Sequence, residues 1–350
     1  MMLRGFNCLS VLLLFFLTHC VAHPLFQTYD RNADGPNTSA TLLAALVGAG
    51  LTSADPASGL ACADDGDVWT AYSEPLGATW YDVAYGAGKY VGLGTGAGIQ
   101  SSDGMNWSVA SGVTSALWQS ITYGNNRFVS VSENGTNRTL SSSDGSVWTD
   151  APAPVNNSWR SVIYAGGQFV AVALTGTERV MTSPDGLSWT MRPALEPSAW
   201  TSVTYGNGLY VAVARLGTNR VMTSPDGISW TTQTGAPPFV WEDITYGNGL
   251  FVAVSSTGTE HIMTSPDGVT WTLRSTPEYN TWRSVTYGDG LFVAVASDGT
   301  NRIMTSADGI NWVGRSSPNL NAWRGITYGN RQFVAIASSL SNRVMVSVCD

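Results

Sequence analysis

The chain has 350 residues, of which 43% are hydrophobic and only 12% charged, with 38 Gly, 14 Trp and 4 Cys. The charge content is about half the ~25% of an average soluble domain, and so much aromatic mass excludes a disordered chain. Lys plus Arg total 17 against 25 Asp plus Glu, a formal net charge of -8 with Lys89 as the one lysine. That balance argues against a phosphate-tracking surface, so no nucleic-acid partner is expected.

From the N-terminus, Arg4 precedes an apolar run from Leu9 to Leu17, and Cys20 and Ala22 stand at the minus-three and minus-one places of a cleavage site before His23. This is secretory chemistry. Residues 1–22 read as a signal peptide, and the mature chain is expected to be secreted or periplasmic. Acylation of Cys20 would place the bulky His19 where a small residue belongs. Residues 23–60 read as a flexible leader. Its apolar stretch from Leu42 to Leu51, like the first one, is too short to cross a bilayer, so no membrane span is expected. The run Asp30-Arg31-Asn32-Ala33-Asp34-Gly35 opens like a calcium loop, but its twelfth position is Thr41 in place of a bidentate glutamate.

Residues 61–350 are a repeat. A box close to Ser-x-Asp-Gly-x-x-Trp recurs at Asp65, Asp103, Asp144, Asp185, Asp226, Asp267 and Asp308, a first interval of 38 and then five of 41. Each box ends on a Trp, and 11 residues after that Trp a second one opens a segment such as Trp282-Arg-Ser-Val-Thr-Tyr-Gly, so seven pairs account for all 14 Trp. One unit contains the pieces WRSVTY, LFVAVAS, NRIMTS and INWVGRS, rich in β-branched and aromatic residues and separated by Gly-Asp-Gly, Asp-Gly-Thr-Asn and Ala-Asp-Gly turns. Four strands in a repeat of ~40 residues predict an all-β fold, a β-propeller of four-stranded antiparallel blades. The array begins with a box and a fourth strand lacking three predecessors, and ends with three strands (Trp323 to Val348) lacking a fourth. The N-terminal strand is therefore expected to complete the last blade and close a ring of seven. In repeat register Cys349 is equivalent to Asp65, which brings Cys62 to the same turn. A Cys62–Cys349 disulfide clasping the ring is expected in an oxidising compartment.

The boxes Ser183-Pro-Asp-Gly-Leu-Ser-Trp189, Ser224-Pro-Asp-Gly-Ile-Ser-Trp230 and Ser265-Pro-Asp-Gly-Val-Thr-Trp271 resemble the Asp-box, or BNR, repeat of sialidase-like propellers, with one residue fewer between Asp and Gly. The resemblance implies that the box is a folding element on the turn between third and fourth strands, where Ser and Asp side chains bond turn amides. It does not settle function, because related boxes occur in sialidases, photosystem II assembly factors and sortilin-type receptors.

Residues copied in every unit serve the scaffold, so candidate function lies in what varies. The loops entering each blade are variable and carry proline. Just inside them, the residue after each first-strand Trp reads Tyr81, Gln119, Arg160, Thr201, Glu242, Arg283 and Arg324. Propeller connectivity places these seven around one channel mouth, which makes Tyr81, Gln119, Arg160, Glu242, Arg283 and Arg324 the candidate ligand-binding residues. His261, standing where other units have Arg138, Arg179, Arg220, Arg302 and Arg343, reads as a blade variant. Without a ligand-spaced cluster of His, Cys and carboxylates, no metal or other cofactor is expected, nor a Ser-His-Asp triad.

Three readings follow. In the first, a monomeric, non-enzymatic binding or scaffold propeller recognises an extracellular glycan or protein through its variable loop face. In the second, Arg160, Arg283, Arg324, Tyr81 and Glu242, with Asp82 or Asp243, form a sialidase-like glycoside hydrolase at the channel mouth, although the Arg-Ile-Pro motif and six-bladed ring of sialidases are missing. In the third, the third-strand arginines line repeated sugar pockets between blades, which would gain avidity from multivalency.

Overall fold

The computed structural model describes residues 68–193 and 196–348. The leader, Asp65 and both members of the expected Cys62–Cys349 pair lie outside the described residues.

The local sequence dictates the hairpin that starts each blade. In blade 4 the inner strand Ala199–Gly206 returns as Leu209–Leu216 through Asn207 and Gly208, whose φ values of +49° and +74° make a two-residue turn of left-handed residues. Such a turn matches the right-handed twist of the paired strands, and Asn and Gly adopt it at least cost. A third strand, Val221–Ser224, and an outer strand, Thr231–Gln233, complete the sheet. The third strand is buried along its whole length, whereas Thr231 on the outer strand is exposed. Near-continuous apolar runs such as Tyr210-Val-Ala-Val-Ala214 thus follow from burial on both sheet faces.

Seven such sheets form the ring, six of them from consecutive strands. The seventh joins Thr70–Tyr72 to Val344–Val348, with Thr70 opposite Val346 and Tyr72 opposite Val344. The chain's first described strand therefore completes the last blade, as the repeat arithmetic required, and covers what would otherwise be the open edge of that blade's third strand.

The core lies between blades. Each inner-strand Trp, from Trp80 to Trp323, has 0% exposure. Trp241, Ile244 and Phe251 of blade 5 pack with Val211, Val213 and Val221 of blade 4, and the same scheme recurs around the ring. Adjacent blades also interlock beside the channel, where a methyl group on Gly247 would lie 2.1 Å from Cγ of Tyr287 in the next blade.

Each box is a rigid turn. In blade 4 Ser224 Oγ donates to Asp226 Oδ1 (2.9 Å) and accepts from the amide of Gly227 (2.8 Å), while Asp226 Oδ1 also accepts from the amides of Ile228 and Ser229, both at 2.8 Å. The Ser229 and Ile228 amides hold the Asp226 carboxyl at about 2. Trp230 Nε1 donates to Gly227 O at 3.0 Å. The box tryptophan belongs to the turn, and the outer strand begins on the residue after it, at Thr231 in blade 4 and at Val313 in blade 6, the latter three residues into the piece INWVGRS.

On the opposite face, the third-strand arginines clamp loops together. Arg179 donates from Nη1 to Leu174 O in its own blade and Ser198 O in the loop entering the next, both at 2.8 Å. Arg138 and Arg302 do the same at Glu133 and Asn157, and at Ser297 and Asn321. These arginines are committed to backbone carbonyls, which leaves a repeated sugar pocket no free guanidinium to use. His261 in blade 5 is too short for the clamp: its Nδ1 lies 3.1 Å from Ser255 O, and its buried Nε2 has no partner. An unmade buried bond of this kind costs about 1–3 kcal/mol. His261→Arg should therefore raise the melting temperature by several degrees, since ~1 kcal/mol corresponds to about 2–4 °C at this size. Calorimetry showing an unchanged or lower melting point would refute the clamp account.

Candidate functional site

The register of every inner strand skips one residue just after its Trp. In blade 5, Trp241 pairs with Ser255 but Asp243, not Glu242, pairs with Val254. The skipped residue is a β-bulge, a device that re-aims side chains. It turns two successive residues toward the axis, so the channel is ringed twice. Tyr81, Gln119, Arg160, Thr201, Glu242, Arg283 and Arg324 form the outer ring around a cavity of about 80 Å³. Asp82, Ser120, Ser161, Ser202, Asp243 and Ser284 form the inner ring. All six candidate ligand-binding residues thus share one mouth.

The inner ring latches blades to each other. Ser120 Oγ accepts from Val162 N at 3.2 Å, and Ser161 Oγ from Val203 N at 3.3 Å, each reaching the following blade. Aspartates do this at two positions. Asp82 accepts from its neighbour Val83 N (2.8 Å) and from Ile121 N in blade 2 (2.9 Å). Asp243 accepts from Ser202 Oγ (2.6 Å), Ser284 Oγ (2.8 Å), Ile244 N (2.9 Å) and Val285 N (2.9 Å). Enclosure in the channel raises Asp82 to about 7, with the Asp243 charge adding to the same direction, and enclosure also raises Asp243. Blade 7 has no side chain at this level, because a methyl on Gly325 would stand 2.7 Å from Cα of Asp82.

The outer ring is an unevenly neutralised set of charges. Arg160 donates to Gln119 Oε1 and pairs with Glu133 at 2.9 Å. Glu242, whose side chain is 2% exposed, pairs through Oε1 with Arg283 at 2.9 Å and Arg215 at 3.6 Å, and accepts from Ser256 Oγ at 2.8 Å. Arg324 donates from Nε to Ser338 Oγ at 3.2 Å and has no carboxylate partner among the described residues. Burial, then the charges of Arg283 and Arg160, lower its pKa, while Tyr81 and Glu242 act in the other direction. Four arginines against Glu133 and Glu242 leave the outer ring a surplus of two positive charges, which Asp82 and Asp243 of the inner ring offset as they ionise, in a protein whose formal net charge is -8.

Sequence reasoning missed Glu133, Arg215 and Ser256, which approach the mouth from the end of the second strand in blade 4 (Arg215) and from just after it in blades 2 and 5. The signal was present: the equivalent positions read Glu133, Leu174, Arg215, Ser256, Ser297 and Ser338, as variable as the ring they flank. Among the described residues no group of three or more His, Cys, Asp or Glu could hold a metal ion, and no helix is long and apolar enough to cross a membrane.

No family model matches the chain, and no curated protein matches it. Solved structures do. A structure of YCF48 bound to D1 peptide is 17% identical with a TM-score of 0.63, over 81% of this chain and 95% of that one. A streptogramin B lyase is 12% identical with a TM-score of 0.70, covering 80% and 96%. The virginiamycin B lyase of Staphylococcus aureus is 12% identical with a TM-score of 0.69, covering 80% and 97%. At these identities the likeness is one of fold, and the chain is a seven-bladed β-propeller.

Proposed function

We propose that the protein is a non-enzymatic binding propeller of an exported chain, and that it takes an anionic group of an extracellular protein or glycan into the arginine-rich mouth. The observation that carries this reading is Arg324: a half-buried guanidinium beside Arg283 and Arg160, without a carboxylate of its own among the described residues. A ligand carboxylate supplies the missing counter-charge, and guanidinium is suited to bind it through two parallel N–H donors. The size of the cavity limits what enters. At about 80 Å³ it is well below the ~300–1,000 Å³ of pockets that engulf a small molecule, so the mouth holds one acidic group of a ligand whose remainder lies across the loops.

Binding is favoured over glycoside hydrolysis because the carboxyls that would do the chemistry are already occupied. Glu242 is held by two arginines and a serine, and Asp243 accepts four hydrogen bonds that tie three blades together. Among the structural neighbours, YCF48 was determined with a bound peptide and two others are lyases, so the fold accommodates both roles and the site must decide.

The test is isothermal titration of the mature chain with a hexaglutamate peptide and with an α-linked oligogalacturonate. Binding of either should weaken at least tenfold in Arg324→Ala and fall with added salt. Absence of binding to both probes, or affinity unchanged in Arg324→Ala, would overturn the reading.

A further inference from the structure

Several residues on the variable face depart from the repeat, and three of them, Leu216, Phe239 and Tyr279, stand where blades 4, 5 and 6 meet. At the position of Leu216, other blades carry Asn134, Thr175, Thr257, Asp298 and Ser339, each accepting a backbone N–H from the loop that enters the blade. Leu216 accepts none and is 60% exposed. At the position of Phe239, blades 3, 4, 6 and 7 carry Asn157, Ser198, Asn280 and Asn321, which donate to carbonyls of the adjoining loop, while blades 1 and 2 carry Ala78 and Ala116. Phe239 takes the same place over Gly258 that Asn157 and Asn280 take over Gly176 and Gly299, and its ring packs beside Trp241 without such a bond. In the next loop Tyr279 is 78% exposed and rests on the ring of His261, centroids 5.8 Å apart.

These three side chains form a continuous arc. Arg220 ties the first two, donating to Arg215 O and Gly217 O on either side of Leu216 and to Phe239 O at 2.8 Å. Phe239 abuts the Gly258 loop that leads to His261, and His261 carries Tyr279. The arc is also stiff where it protrudes. Glu278 accepts from Asn301 Nδ2 (2.7 Å), Asn280 Nδ2 donates to Asn301 O (2.6 Å), and Thr281 N donates to Asp298 (2.6 Å), fixing both flanks of Tyr279. Beneath it, the Nε2 of His261, a residue only 4% exposed, has no partner. The arc joins the mouth through the chain itself: Arg215, which pairs with Glu242, precedes Leu216, and Arg283 follows Tyr279 by four residues.

We propose that the Leu216–Phe239–Tyr279 arc is the second half of the binding site, and that its occupant is an extended peptide carrying an aromatic or large aliphatic side chain next to an acidic residue. This rests on the reading of the mouth as an anion site. A pre-organised, protruding aromatic is the usual form of an interface anchor, since little entropy is lost on binding. Leu216 and Phe239 offer apolar surface with no hydrogen-bonding side-chain group of their own, next to the exposed ring of Tyr279. An apolar side chain of a peptide fits both, and its neighbouring carboxylate reaches the adjacent guanidinium groups. The peptide therefore crosses blades 4 to 6 along the loops, with its acidic end at Arg283 and Arg324.

The test uses an array of amidated heptapeptides that places Phe or Ser one to four residues from an Asp-Asp pair, titrated against the mature wild-type chain, Leu216→Ser, Tyr279→Ser and Arg324→Ala. At least one Phe spacing should bind about tenfold more tightly than its Ser counterpart, with the advantage lost in Leu216→Ser and Tyr279→Ser while the Ser peptides are unaffected. Arg324→Ala should weaken both series. If Asp-Asp peptides bind with Arg324 dependence but Phe gives no advantage, or the advantage survives both serine variants, the arc is not part of the site and the anion reading stands. If no peptide binds, or Arg324→Ala changes nothing, the anion reading fails and the inference with it. A neutral glycan captured in a Tyr279-dependent way would overturn the peptide assignment.

Discussion

Asp82→Ser should make the protein more stable at pH 8 and reduce the pH dependence of its unfolding between about pH 4 and pH 7. The aspartate is raised to about 7 in the folded chain, chiefly by enclosure in the channel, against an ordinary 3.8. Between those values the folded protein binds a proton that the unfolded chain has released, so stability falls as pH rises through this window and levels off above about 7. A shift of one unit is worth ~1.4 kcal/mol. Since the carboxyl still meets channel water, the net cost at pH 8 is put at about 1–3 kcal/mol. Serine removes the charge and keeps the latch, as Ser120 and Ser161 do in their blades. Urea unfolding at pH 5 and pH 8 measures the effect. Equal losses at both pH values would show that Asp82 serves the fold as a carboxylate. The slope that remains in the variant belongs to Asp243, which is raised in the same direction. The box aspartates act in another range: Asp226 and Asp267 are held at about 2, first by the amides of Ser229 and Thr270 respectively. Their contribution is complete above 3.8 and is lost as pH falls through about 2.

Glu242→Gln should move stability and affinity in opposite directions. The carboxylate neutralises Arg283 and Arg215, whose side chains are 21% and 35% exposed. Removing it leaves two partly buried cations with a weaker amide partner, at a cost of about 1–3 kcal/mol, less than for a fully buried pair because both arginines reach solvent. The same change takes the outer ring's surplus from two positive charges to three, so hexaglutamate should bind roughly tenfold more tightly, ~1.4 kcal/mol. Titration and urea unfolding on one preparation check both signs. A variant that loses affinity as well as stability would mean that Glu242 contacts the ligand directly, and turnover abolished by this substitution would revive the hydrolase reading.

The blades, their number and their closure were legible because the repeat states them seven times over. The outer ring was legible for the complementary reason: Tyr81, Gln119, Arg160, Thr201, Glu242, Arg283 and Arg324 hold equivalent places and differ. What escaped the sequence depends on a single skipped residue per inner strand. The bulge after each Trp turns Asp82 and Asp243 toward the axis beside their neighbours, and alternation along an ideal strand would have sent one of each pair the other way. Pairing across blades escaped for a different reason. Arg215 meets Glu242 because the end of the second strand of blade 4 comes up beside the inner strand of blade 5, and charge identity alone does not choose between Arg215, Arg283 and Arg324 as that glutamate's partner. The box tryptophans illustrate a third limit, since the apolar pattern placed them in strands while the strands begin one residue after them.

The strand that completes blade 7 also orients the molecule. Thr70 follows the box tryptophan Trp69 and pairs with Val346, close to the last described residue, while Gln332 opposite Val348 lies just after the hairpin turn of that blade. Both ends of the described chain therefore emerge on the face of the boxes and inner hairpin turns, and the arginine mouth opens on the other. A label inserted beside Val68 or Val348 would stand on the face away from the mouth, whereas the same graft in a loop entering a blade would stand beside it.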